Sequence, residues 1–254
     1  MLNRAWIVSA AILICIAPAW AADTLDTVKE QIIARWDSAQ AVSCRVGLEL
    51  QMNVNGMALP GRGTGTLDYR RKDDTTCSRM DVAGALTVPM GDSTADLPQN
   101  VTAVFDGDQL HLQTVVLRMP VVMKYDASEE DDRKKSPAQL LFGGLEDAGE
   151  LTLLPDASVN GAAAYALQVK FDEPDADGIL PVAVLQLFFD KATGFPLRVQ
   201  GFADGGAPVG ALTFTDFKTD AEFPAGRFQY IAPEGAQFVD FSEAESALLP
   251  PMLR

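Results

Sequence analysis

Few residues in this 254-residue chain have types and spacing that could do covalent chemistry. His111 is the single histidine and falls out of phase with Leu110 and Leu112, so it faces away from the apolar side of its strand. A Ser-His-Asp triad would need that outward residue, and a His/Cys zinc cluster lacks the ligands. The run from Asp172 to Gly178 has acidic spacing loosely like a calcium loop but lacks the terminal Glu of an EF-hand, so it reads as a turn. Phosphate-cradling glycine loops and G-x-S-x-G elbows are missing. No cofactor is implied, and an enzyme is not expected.

Cys44 and Cys77 remain once the leader is set aside. In an oxidising compartment an even pair suggests a disulfide. Strand phase points the other way: Cys44 is in phase with the apolar face, Cys77 is out of phase with Met80 and Val82, and a meander separates them by two strands, roughly 9–10 Å. Both readings stand on the sequence.

Arg71 is the residue whose position breaks a rule. The strand Arg62–Arg71 places Arg62, Thr64, Thr66, Asp68 and Arg70 in one phase and Gly63, Gly65, Leu67, Tyr69 and Arg71 in the other, so a guanidinium follows an apolar face. Left unpaired there it would cost several kcal/mol or more. Backbone carbonyls of a covering helix, or the polar end of a bound amphiphile, would satisfy it.

The elements that must position these residues are mostly strands. Residues 1–21 carry one positive charge (Arg4), an apolar core from Ala5 to Ile16, Pro18 and an Ala19-Trp20-Ala21 cleavage site, the pattern of a secretory signal. Residues 22–254 then form one domain, with no linker or composition shift. The leader holds one of the 20 basic residues and no acidic one, so the mature chain stands at −16. That charge repels phosphate backbones and anionic lipid surfaces, which argues against nucleic acid as a partner.

Asp23–Ala39 reads as an amphipathic helix with Leu25, Val28, Ile32, Trp36 and Ala39 on one face, Thr24 as N-cap and Asp26 in the first turn. Val42–Val54 is a long strand whose even positions, among them Leu48, Leu50 and Met52, are apolar. Turns are expected at Asn55-Gly56, Lys72-Asp73-Asp74 and Asp106-Gly107-Asp108. Between them lie strands near Cys77–Val82 and within Val101–Thr114. Val115–Tyr125 holds Pro120 and reads as an edge or irregular segment, and Ser128–Ser136 is a solvated charge block. Ser136-Pro137 starts a short helix containing Leu140, Leu141 and Phe142, which Gly143-Gly144 stops, either a movable lid or a fixed plug. From Leu151 onward strands recur at Leu151–Leu154, Ala163–Phe171, Val182–Phe189, Phe195–Phe202, Val209–Phe217 and Arg227–Tyr230. Such spacing without intervening helices means an antiparallel barrel or a strongly curved open sheet. The fold expected is mainly β (α+β), a half-open barrel covered by an N-terminal helix and short lid helices. Thirteen Phe and eight Met suit an adaptable apolar surface.

The order of motifs GTGTLDYRR (Gly63–Arg71), RMDV (Arg79–Val82), FDGD (Phe105–Asp108), SPAQLL (Ser136–Leu141), LLP (Leu153–Pro155), DKATG (Asp190–Gly194) and FQYIAPEG (Phe228–Gly235) resembles LolA-like periplasmic proteins, the outer-membrane lipoprotein-carrier and lipoprotein-sorting superfamily. The resemblance implies a half-open antiparallel barrel under helices, with a cavity for lipoprotein or lipid acyl chains. It implies that Arg71 corresponds to the arginine holding the family's lid shut, although the family's following proline is Lys72 here. A periplasmic monomer is then expected, with ligand-facing residues Leu48, Leu50, Met52, Leu67, Tyr69, Arg71, Met80, Leu140, Leu141, Phe142 and Phe189. The alternative is an envelope protein–protein interaction or stress-sensor module of the same fold, with envelope membrane proteins among its partners and its interior filled by its own side chains.

Overall fold

In the computed structural model the described residues are 23–54, 57–72, 75–116, 119–126, 135–173 and 181–240. The leader, the Asn55-Gly56 and Asp73-Asp74 turns, the charge block up to residue 134, and 174–180 of the acidic run lie outside them.

Helix α1 (Leu25–Ser38) begins where Thr24 accepts from the Thr27 amide, and its apolar stripe Val28, Ile32 and Trp36 is buried. Strands β1 (Ala41–Val54) and β2 (Met57–Lys72) pair without a register break from Ala41↔Arg70 to Val54↔Met57. They are followed by β3 (Thr75–Met90), β4 (Ser93–Phe105), β5 (Gln109–Val116) and β6 (Met119–Asp126). Helix α2 (Pro137–Ala148) leads into a second meander, β7 (Gly149–Val159), β8 (Ala162–Phe171), β9 (Val184–Asp190), β10 (Pro196–Phe202) and β11 (Pro208–Thr219). A final strand, β12 (Gln237–Asp240), pairs parallel with β6.

The twelve strands among the described residues form one sheet in the order β12-β6-β5-β4-β3-β2-β1-β11-β10-β9-β8-β7. The two meanders join where β1 pairs with β11, and β12 and β7 are left as the two margins of an open half-barrel. The expected fold class is the one found.

Three expectations need correction, and one reading left open by the sequence is decided. Strand structure does not stop at Val82 or begin at Val101: β3 runs to Met90 and β4 starts at Ser93. Pro89 and Pro98 lie where only one neighbouring strand is paired, because β2 reaches β3 only as far as Leu86 and β5 reaches β4 only from Thr102, so a missing N–H costs no ladder bond. Helix α2 is not stopped by Gly143-Gly144. These glycines are exposed while Leu145 beyond them is buried, and packing outweighs a propensity loss of about 1 kcal/mol per glycine. Arg227–Tyr230 is not a strand but a set of turns in a strap that crosses the convex face. Finally, Cys44 and Cys77 are both free, and the strand phases put them on opposite faces of the sheet, so no disulfide forms.

Candidate functional site

The concave face divides into two halves. One is filled. There α1 and α2 lie over an aromatic core in which Trp36 meets Tyr69 and Phe195 edge-on, at 5.4 and 5.1 Å between ring centroids. Phe142 of α2 packs on Phe189, and a Lys29–Glu146 ion pair ties the two helices together. Ser136 and Gln139 form a reciprocal capping box that fixes the start of α2. With Phe142 and Ser136 fully buried, α2 sits as a pinned plug.

In the other half, a second buried cluster of Cys44, Val46, Val82 and Phe214 contains no residue of either helix. Leu48, Leu67, Met80 and Leu212 pack against it and remain partly exposed. Beyond it lies a cavity of about 150 Å³ whose walls come from Leu48, Leu50 and Met52 of β1, Leu86 of β3 and Val101 of β4. In a flat sheet β1 and β4 would stand about 14 Å apart. They share one cavity because the sheet curls sharply over β2 and β3. A Cβ on Gly65 or Gly84 would run into the main-chain oxygen of Asp81 or Arg62 respectively, so side-chain-free positions are what allow this bend.

The expected site residues therefore separate. Leu48, Leu50 and Met52 line the cavity, and Leu67 and Met80 lie beside it on the same face. Tyr69, Phe142 and Phe189 belong to the filled core. Leu140 and Leu141 are exposed on α2. Arg71 stands at the C-terminal end of α1, where its guanidinium donates to the Asp37 main-chain carbonyl at 3.4 Å and lies 3.7 Å from the Asp37 carboxylate. A helix carbonyl, one of the two partners expected for it, is present, together with the Asp37 carboxylate. Gly61, Val82, Gly84, Leu86, Gln99, Val101 and Thr114 also line the cavity and were not foreseen. The signal was present, since Val82, Leu86 and Val88 continue the two-residue alternation past the point where glycine and proline suggest a stop.

The convex face carries larger hollows among threonine and charged residues. One of about 440 Å³ surrounds Gly47 between Thr64, Thr66, Thr213 and Thr215. Another, about 510 Å³, lies against the strap near Arg79, Gln113 and Tyr230. Here Arg227 bonds Asp68 at 2.6 Å and Asp81 at 2.9 Å, and Arg79 also bonds Asp81, so the two cations and two anions satisfy one another. Burial pushes the Asp81 carboxyl up, but hydrogen bonds from Arg79, Arg227 and Thr102 outweigh it and hold the group below its ordinary range. His111 does face away from the concave side, yet it is buried, because Tyr230 of the strap stacks on it at 4.5 Å. Its Nδ1 has no hydrogen-bond partner. Burial lowers its pKa, and nearby Lys124 adds to this against the opposing pull of Asp106. Burial also pushes the Tyr69 hydroxyl and the Cys44 thiol up to about 12.

No protein-family model matches the chain, and no curated protein matches it. Among solved structures it is similar to an uncharacterized conserved protein from Thermus thermophilus, at 12% identity and TM-score 0.47 over 83% of this chain and 98% of that one. It is similar to the MucA/MucB complex structure of Pseudomonas aeruginosa at 20% identity and TM-score 0.42, over 80% of this chain but only 59% of that one. A LolA superfamily protein from Nitrosomonas europaea aligns at 11% identity and TM-score 0.31, over 82% and 99%. At these identities and TM-scores the likenesses carry no argument about which family the chain belongs to. Likeness at this level carries no function. No helix among the described residues is long and apolar enough to cross a membrane.

Proposed function

We propose that the chain is a periplasmic binding or carrier protein for lipid-like ligands or lipoprotein acyl chains, held as a monomer's cargo on the half of the concave face that α1 and α2 leave uncovered. The observation that supports it most is the cavity between Leu48, Leu50 and Met52 of β1 and Val101 of β4, an apolar hollow opening beside a closed core. Ligand sites are typically concave and mostly apolar with a few polar groups, and Gln99 and Thr114 supply an amide and a hydroxyl here. Burying aliphatic chain against such a wall contributes about 0.8 kcal/mol per methylene.

A second reading, an envelope protein–protein module, draws support from the aromatic filling under the helices and from a cavity smaller than the roughly 300 Å³ usual for ligand pockets. Purification from the native host followed by mass spectrometry of organic extracts separates the two. A co-purifying acyl species supports the carrier. Repeated extraction without one, together with no uptake of a fluorescent fatty acid, excludes it.

A further inference from the structure

We infer that the trough left open by α1, α2 and the other described residues takes a single unbranched alkyl chain, tail first from the hairpin tips, and that the Val46–Val82–Phe214 cluster is the stop that sets how much chain fits. The inference rests on the lipid-binding reading above and specifies where and in which direction that ligand lies.

The direction follows from exposure along the strands. On the concave face of β3, Val82 is 5% exposed, Leu86 is half-buried and Met90 is 62% exposed. Met57 at the start of β2 and Leu97 of β4 are 50% and 47% exposed, and register places both on this same face, opposite Val54 and Leu86. The trough is therefore wet at the tips of the β1–β2 and β3–β4 hairpins and dry where Val46, Val82 and Phe214 close it. An amphiphile with its head outside and its tail against the stop satisfies both ends.

The shape and the charge of the trough choose the occupant. A cavity of about 150 Å³ is the size that holds one benzene, so its enclosed part takes about six carbons of a chain. The remaining carbons would lie along Met52 and Met57. At Gly61 the floor has no side chain, and a Cβ there would crowd Leu86 Cδ2 at 2.7 Å and touch Leu50 Cβ and the Ala85 carbonyl oxygen at 3.5 and 3.6 Å. Arg62, the one charged residue at the cavity, belongs by alternation to the convex face, which leaves a neutral lining that matches a polymethylene tail. A peptide strand would bring a donor and an acceptor at every residue, whereas the lining offers only Gln99 and Thr114 to meet them. A helix, about 10 Å across, does not fit.

The test uses delipidated full-length protein and a displacement titration of bound cis-parinaric acid with saturated fatty acids of eight to eighteen carbons. Affinity should rise about fourfold per methylene, the ratio that about 0.8 kcal/mol gives, and then level off once the stop is reached. Gly61→Leu should weaken the longer chains at least tenfold with little change in melting temperature. Val82→Ala, which deepens the stop, should move the plateau to chains one or two carbons longer. Should Gly61→Leu fail to fold, the shift in Val82→Ala still decides the matter. Unchanged length profiles in folded variants that still bind would overturn the trough and leave the lipid-binding reading standing. A wild-type protein that binds none of the series would overturn that reading itself.

Discussion

Arg227 closes on Asp68 at 2.6 Å across 159 positions of sequence. The contact turns a carboxylate from the polar phase of β2 into a buried one, 6% exposed, and fastens the strap to the convex face. Strand β2 is thus held from both sides, since Asp68 and Arg70 meet Arg227 and Phe228 of the strap while Tyr69 and Arg71 meet Trp36 and Asp37 of α1.

Removing the cation should expose that dependence. Arg227→Met leaves Asp68 buried without its charge partner, and a loss of about 2–3 kcal/mol in urea unfolding is expected. Adding Asp68→Asn should restore part of the loss, because the uncompensated charge is then gone. Equal stabilities for wild type and Arg227→Met would show that the strap is incidental to the fold.

The same face should weaken in acid. His111 has a folded pKa below its ordinary 6.5, so the unfolded chain binds more protons and stability falls as pH drops through 6.5 toward the folded value. Asp81, held below its ordinary 3.8, contributes stability that is present above that value and lost as pH falls further. Between pH 7.5 and 5.5 the wild type should lose about 2 °C more in melting temperature than His111→Gln. Parallel curves would remove His111 from the account.

At the other surface of β2, Arg71 provides a cation at the C-terminal end of α1, where the helix dipole favours one. Arg71→Leu should cost about 1 kcal/mol and speed hydrogen exchange in the last turn of α1, with Arg71→Lys intermediate. Exchange identical to wild type would mean that the long 3.4 Å contact contributes nothing.

Cys44 and Cys77 should stay reduced in an oxidising compartment. Burial raises both thiols, Cys44 to about 12, and they occupy opposite faces, so folded protein prepared without reductant should resist alkylation and both should react after denaturation. A single tryptic fragment joining the two would contradict the strand register.

How far the sequence could be read depended on whether local pattern or distant contact decided the outcome. Val42–Val54 has one wet and one dry face, and its two-residue alternation carried the strand, its phase and the placement of Leu48, Leu50 and Met52. Thr24 and the Val28–Trp36 stripe did the same for α1. The strap was illegible because its partners, Asp68, Asp81 and His111, lie more than a hundred positions away and its own residues have no period. The outer half of the β3–β4 hairpin was obscured by Gly84, Pro89 and Pro98, which look like breakers unless the one-sided pairing of those strands is known. Alternation marks Tyr69 and Phe189 as apolar strand positions and helical spacing marks Phe142 as apolar content of a short helix, but neither pattern tells a wall that a helix covers from one that a ligand could reach.

The central claim is that apolar ligand occupies the uncovered half of the concave face. Photolabelling with a diazirine-bearing fatty acid, followed by peptide mapping, tests it most directly. Saturable labels should fall in the stretches 48–61 and 82–101. Labels confined to α1 and α2 or to the convex strap, or no saturable labelling at all, would contradict it.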